Sequence, residues 1–338
     1  MALLGRIFES IAAGHPWPGY EIGISKDEYE DIDRLIEEAE RLNGWFTRQQ
    51  VIFALASWAE LLKEELLKSW SSHYPFAEES KRVGLIMAGN IPMVGMHDLI
   101  SVLLSGHHLI LRPSSDDHVL IRMVVALLTT LDEAYHDIIQ WADGKLKGHE
   151  AIIATGSDNT SRYFEYYFSQ VPHIIRKNRN GIAILNGQET EAELKALGQD
   201  IFQYFGLGCR NVSKIYVPEG YDLDTFFGGI YPHHSIIEHN KYANNYDYYR
   251  SVFLLNEDNI LDNGFLLLKR HEALASPMAS LHYERYSDED ALRKSLSAQS
   301  DQIQCIVSRK DVPFGKAQSP ALDDYADGVD TMQFLAEL

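Results

Sequence analysis

Val83-Gly84-Leu85-Ile86-Met87-Ala88-Gly89 is a short, continuous apolar run that ends in glycine. It reads as a strand buried on both faces, as in a parallel sheet. A helix follows at about Gly95 to Ser105, then a second strand, His108-Leu109-Ile110-Leu111-Arg112. A helix from about Asp117 to Leu131 precedes a third strand, Ala151-Ile152-Ile153-Ala154-Thr155-Gly156. Strand, helix and strand at this spacing is βαβ, which predicts an α/β fold with a doubly wound parallel sheet. Such sheets bind ligands at the carboxyl ends of their strands. The residues to watch are therefore Asn90, Arg112 to Ser115, and Thr155 to Ser157.

Upstream of this core, Ser25-Lys26-Asp27-Glu28 is a capping-box pattern that opens a charged amphipathic helix, Lys26 to Leu42. A second helix is predicted near Arg48 to Ser69, with Ile52, Leu55, Trp58, Leu61, Leu62 and Leu66 at helical spacing. Downstream, Ser213-Lys214-Ile215-Tyr216-Val217 reads as a strand. So does the alternating Gln302-Ile303-Gln304-Cys305-Ile306-Val307, which makes Cys305 structural. A chain of 338 residues implies two domains. No run approaches the ~18–20 apolar residues of a membrane span. Met1 to Arg6 lacks the features of a signal peptide, and the chain has two cysteines, so a cytoplasmic setting is expected. A net charge of −19 argues against nucleic-acid binding and for a small-molecule partner.

Cys209 stands in Phe205-Gly206-Leu207-Gly208-Cys209-Arg210-Asn211. Glycines let the backbone bend and a substrate approach closely. Arg210, or a helix N-terminus at the turn, would favour the thiolate, the nucleophilic form. A lone cysteine is otherwise a small buried hydrophobe. Neither G-x-G-x-x-G nor the P-loop pattern occurs in the chain. Thr155-Gly156-Ser157-Asp158 offers backbone N–H groups to a phosphate, and equally makes an ordinary helix cap. Pro232 to His239 places His234 and Glu238 one helical turn apart, beside His239. That spacing suits zinc, yet a polar helix face or loop explains it better, and no metal is expected. The tyrosines at 242, 246, 248 and 249 suit either an acyl pocket or a surface loop.

Four strand-end motifs in order resemble the aldehyde dehydrogenase superfamily. Gly89-Asn90-Ile91-Pro92 matches its Asn-Phe-Pro motif, and Ser105 to Ser115 matches Ala-Gly-Asn…Lys-Pro-Ser. Ala154 to Ser157 matches Thr-Gly-Ser, and Gly206 to Cys209 matches Gly-Gln-x-Cys. Glu272 to Pro277 loosely follows its Glu-x-Phe-Gly-Pro segment, and the likeness covers roughly Arg82 to Arg309. Within the superfamily the chain looks most like bacterial acyl-CoA reductases of the luminescence fatty-acid-reductase type. It is short, Arg112 replaces the family lysine, and Ile175 to Gly181 holds no glutamate where Glu-Leu-Gly-Gly is expected.

The resemblance implies a Rossmann-type cofactor domain and an α/β catalytic domain. The expected division is 1–80 for N-terminal helices packed on the cofactor domain, 81–190 for that domain, 191–312 for the catalytic domain and 313–338 for a tail. The tail closes the site or joins a subunit contact, and the sequence does not choose. Catalysis falls to Cys209 as nucleophile, with Asn90 and the Cys209 N–H holding the oxyanion. Cofactor binding falls to Arg112, Ser114, Ser115, Thr155, Gly156 and Ser157. Arg112 with Ser115 in place of the family glutamate favours NADP(H) over NAD(H), although Asp116 or Asp117 would neutralise it. Without the general-base glutamate a thioester resists water and is left for reduction or for a thiol. The implied activity is therefore reduction of an acyl-CoA, or of an acyl carrier thioester, to an aldehyde. The basic run Arg176 to Arg179 suits coenzyme A phosphates or a solvated strand end. A homodimer follows from the resemblance alone. The rivals are an acyl-phosphate-linked semialdehyde reductase of the same fold and an inactive scaffold.

Overall fold

The computed structural model describes residues 1–142, 144–156 and 158–338. The chain divides into two compact units, Met1–Lys177 with Ala321–Leu338, and Asn178–Pro320.

The first unit begins with four helices: α1 Ala2–Ala12, α2 Lys26–Leu42, α3 Arg48–Leu61 and α4 Glu64–Ser71. The capping box of α2 is formed in both directions between Ser25 and Glu28. The predicted helix over Arg48 to Ser69 is two helices, because the chain bends at Leu62 and Lys63. Leu62 is fully buried, and its Cβ lies where a side chain on Gly5 of α1 would stand. Packing against α1 thus outweighs helix continuity.

The sheet then alternates with helices: β1 Arg82–Ile86, α5 Met96–Leu104, β2 His108–Arg112, α6 His118–Leu131, α7 Tyr135–Ile138, β3 Ile139–Trp141, β4 Ala151–Thr155, α8 Asp158–Phe168 and β5 His173–Arg176. The strand order is β3-β2-β1-β4-β5 and every pair is parallel. β1 is central and buried on both faces, as its unbroken apolar run requires. α1 and α2 pack on α6.

The second unit contains β6 Asn180–Ile184, α9 Glu191–Phe202, β7 Val212–Pro218, α10 Leu223–Ile230, α11 Asn240–Leu255, β8 Ile260–Asp262, β9 Leu267–Arg270, β10 Ser280–Tyr286, α12 Glu289–Ser297 and β11 Ile303–Val307. Its strands run β11-β6-β7-β10-β9-β8, with only β8 antiparallel to its neighbour. Alternate residues face opposite sides of the sheet. Ala183, Ile215 and Val217 meet Leu194, Leu197 and Phe226 of α9 and α10 on one side. Ile182, Ile184 and Tyr216 meet Leu296 of α12 on the other.

β6 pairs with β7 and β11, so the second unit starts at Asn178, earlier than the boundary expected near 190. The chain returns to the first unit at Ala321 and ends in α13 Thr331–Ala336, which packs on α5. Among the described residues no helix is long and apolar enough to cross a membrane.

Candidate active site

The carboxyl ends of β1, β2 and β4 gather most of the residues singled out in the first unit. Asn90 follows β1 and is exposed. Gly89 before it lies so close to Ser114 that an added Cβ would stand 2.5 Å from the serine Cβ, so this approach requires glycine. The Ser114 hydroxyl accepts the Asp116 N–H, and Ser115 is exposed at the turn. Thr155 ends β4, and Gly156 stands over Thr160 and Phe164 of α8. Ser157 lies outside the described residues.

Arg112 ends β2, is exposed, and forms no ion pair among the described residues. Asp117 does not neutralise it. The Asp117 carboxylate is buried and accepts the Met93 N–H at 2.7 Å. Met93 holds a left-handed backbone with φ 56°, a conformation that costs a non-glycine residue about 1–3 kcal/mol. Burial pushes the Asp117 carboxyl well above the usual carboxylate range, and the Met93 N–H only partly offsets this.

In the second unit, Cys209 is exposed on the connection from α9 to β7, and Cys305 is buried in β11. The connection opens with an unusual bend. Tyr204 (φ 53°, ψ 29°) and Phe205 (φ 57°, ψ 22°) are both left-handed, and Gly206 follows at φ 79°. Burial of both aromatic rings, and a stack of Phe205 on His239 at 4.2 Å, offset that strain.

Asn211 then closes the loop. Its Oδ1 accepts the Gly208 N–H at 2.8 Å, and its own N–H donates to the Gly208 carbonyl at 3.0 Å. Its Nδ2 faces the carbonyls of Asp200 (3.0 Å), Ile201 (3.3 Å) and Gln203 (2.8 Å) at the end of α9. Asn211 is a residue that the motifs of the sequence do not single out. Its cue was local, an asparagine three residues after a glycine, but its other partners depend on how α9 ends.

Arg210 also bonds within the protein. Its guanidinium is buried, and Nε donates to the Ala317 carbonyl. It also draws the Asp200 carboxyl downward. Asp200 accepts the N–H groups of Gly315 (2.6 Å) and Ala317 (2.9 Å). Burial dominates, and pushes the Asp200 carboxyl from an ordinary 3.8 to about 6. The element after Cys209 is strand β7.

Beside the turn lies a cavity of about 210 Å³, lined chiefly by Phe202, Phe205, Leu207, Tyr242, Leu266 and Met278. Ser276 and Pro277, from the segment likened to Glu-x-Phe-Gly-Pro, complete part of its wall. The tyrosine cluster is helix α11 and not a surface loop. Tyr242 is buried with its hydroxyl on the Phe265 carbonyl, while Tyr248 is exposed.

The remaining candidates have structural work. Arg176 is buried, paired with Asp98 at 2.6 Å, and donates to the Ala326 carbonyl and Thr331 hydroxyl. Lys177 pairs with Glu165, and Arg179 donates to the Ser300 carbonyl. Of the three, Arg176 is buried and Lys177 is exposed. His233 bonds to the Lys195 carbonyl, His234 stacks on Tyr231, and His239 accepts the Tyr242 N–H at the start of α11. Among the described residues no group of three or more metal-ligating side chains converges. The tail is shared between the units. Gly315 and Ala317 are held beside the Cys209 turn, whereas Tyr325 bonds to Trp70 and Tyr74 in the first unit.

Residues 26–222 match the model of the family described as acyl-CoA reductase (LuxC). No curated protein sequence matches the chain. Solved structures that share the fold include three enzymes. An NADP-dependent enzyme of E. coli is similar with a TM-score of 0.59 and 13% identity, over 91% of this chain and 73% of that one. Aldehyde dehydrogenase 21 of Physcomitrella patens, solved with its product succinate, gives 0.57 and 12%, over 91% and 73%. An NAD-dependent aldehyde dehydrogenase of Sinorhizobium meliloti gives 0.58 and 11%, over 91% and 70%. The α/β architecture is therefore that of the aldehyde dehydrogenases.

Proposed function

The chain belongs to the acyl-CoA reductase (LuxC) family, and from that premise we propose that Cys209 carries the acyl group as a thioester which is reduced to an aldehyde. The observation that carries this reading is an exposed thiol on a loop held by Asn211, beside a cavity lined in part by Phe202, Phe205, Leu207, Tyr242, Leu266 and Met278. The Cys209 thiolate adds to the thioester carbonyl. The bond to the coenzyme A sulfur then breaks, and that sulfur leaves with the electron pair and takes up a proton. A nicotinamide cofactor, when bound, supplies the hydride that reduces the acyl carbon. The carbon–sulfur bond to Cys209 then breaks, returning the thiolate and freeing the aldehyde. Each addition creates an oxyanion that needs fixed donors, a role assigned to the Asn90 amide and the Cys209 N–H. The cavity beside the turn takes the first carbons of the acyl chain. Residues 175–181 supply no carboxylate to activate water, which favours reduction over hydrolysis.

The strand-end loops of the first unit suit the cofactor, and Arg112 is its ribose contact. An exposed guanidinium with no ion pair among the described residues supports NADP(H) over NAD(H). Cys209→Ala should abolish NADPH oxidation driven by a long-chain acyl-CoA while the circular dichroism spectrum is kept. Retained turnover would sink the mechanism, and turnover of acyl phosphates alone would favour the semialdehyde reductase. In the same assay Arg112→Ala should weaken NADPH more than NADH, and equal losses would remove the case for NADP(H).

A further inference from the structure

We propose that Asn211 is the positioning residue for Cys209, an inference that rests on Cys209 being the nucleophile. Asn211 is buried, and its amide can be oriented only one way. Reversal would set its oxygen against three carbonyls and its NH₂ against the Gly208 N–H.

The last carbonyls of a helix have no partner within it. A glycine C-cap normally supplies one, but α9 runs instead into the left-handed pair Tyr204 and Phe205. The Asn211 Nδ2 takes over that task. The same side chain reaches Gly208 through Oδ1, while the Asn211 backbone holds the Gly208 carbonyl.

Both polar groups of Gly208 are therefore fixed by one residue. The peptide plane that contains the Gly208 carbonyl also contains the Cys209 N–H, which must point the opposite way. Fixing that carbonyl thus aims the N–H to which oxyanion binding is assigned. It also sets the Cα from which the thiol projects. Gly181 completes the support, because an added Cβ there would stand 2.6 Å from the carbonyl oxygens of Arg210 and Asn211.

The test compares Asn211→Asp and Asn211→Ala with Leu197→Ala, a core change in α9 that lowers stability without touching the loop. Asn211→Asp keeps the acceptor for Gly208 but turns an oxygen toward the three carbonyls. Both Asn211 variants should lower kcat by about 10²-fold with KM for acyl-CoA changed less than about threefold, as expected for lost geometry at the reacting atoms. The pH profile of Cys209 alkylation by iodoacetamide should move in both, and stay in place in Leu197→Ala at a comparable fall in Tm. Unchanged kcat and an unchanged alkylation profile would overturn the proposal. In the wild-type protein the Gly208 amide should exchange with deuterium as slowly as the amides of β7, whether or not the variants fold. Fast exchange would overturn the lock directly. Turnover by Cys209→Ala would instead remove the nucleophile reading, leaving the amide protection as it was.

Discussion

In the first unit a left-handed methionine, Met93, is held by the carboxylate of Asp117. In the second, left-handed Tyr204 and Phe205 lead into a loop held by the amide of Asn211. Both loops carry strained non-glycine backbone, and both are pinned by one buried side chain that bonds within three residues of a residue with a proposed role. The pins differ in chemistry. Asp117 uses one oxygen, while its Oδ1 is buried without a partner among the described residues. Asn211 uses its oxygen and its NH₂. A carboxylate pin titrates and an amide pin does not. The thiol-bearing loop thus keeps its geometry at any pH its neighbours tolerate, while the loop after β1 is sensitive to the protonation of Asp117.

The largest break in this comparison comes from behind the cysteine loop. Gly181→Val should destabilise the protein by about 3 kcal/mol or more, since the backbone it meets has no flexible end to move aside. A urea midpoint near that of wild type would show the loop to be softer than described.

A pH effect of similar size should come from Asp200. Its folded pKa, about 6, lies above the ordinary 3.8, so the folded state binds its proton more tightly than the unfolded state. Its contribution is full below about pH 4 and lost as pH rises through 6. Two units correspond to about 3 kcal/mol. Wild type minus Asp200→Asn, in unfolding free energy, should fall by about that amount between pH 4 and 6.5. A flat difference would mean the carboxyl is better solvated than its burial implies.

The smallest effect belongs to Asp117→Asn. The carbonyl of asparagine still accepts the Met93 N–H, so stability near neutral pH should change by no more than about 1 kcal/mol and improve as pH rises. The mirror exchange, Asn211→Asp, should be far worse. Equal losses from the two swaps would erase the distinction between the pins.

The βαβ core was legible because its signals are local. The apolar run at Val83, the capping box at Ser25 and the strand before Arg112 each depend on neighbours in sequence. α1 was legible in principle, since Leu4, Ile7, Phe8 and Ile11 follow helical spacing, but it carries no cap and no acidic first turn to announce it. β3 is three residues on a sheet edge, too short for a pattern. The roles of Arg210 and Asp200 were out of reach for another reason. Their partners lie at Gly315 and Ala317, more than a hundred residues away, and only the fold brings them in. Arg176 is the same case, a basic residue whose partner Asp98 is distant in sequence.

The most direct test is to mix the protein with an acyl-CoA in the absence of NADPH, quench, and measure the mass of the Cys209 peptide. The account predicts one acyl group on Cys209, stable in water, and discharged as aldehyde when NADPH is added. No adduct, or an adduct carried by Cys305 or another residue, would contradict it.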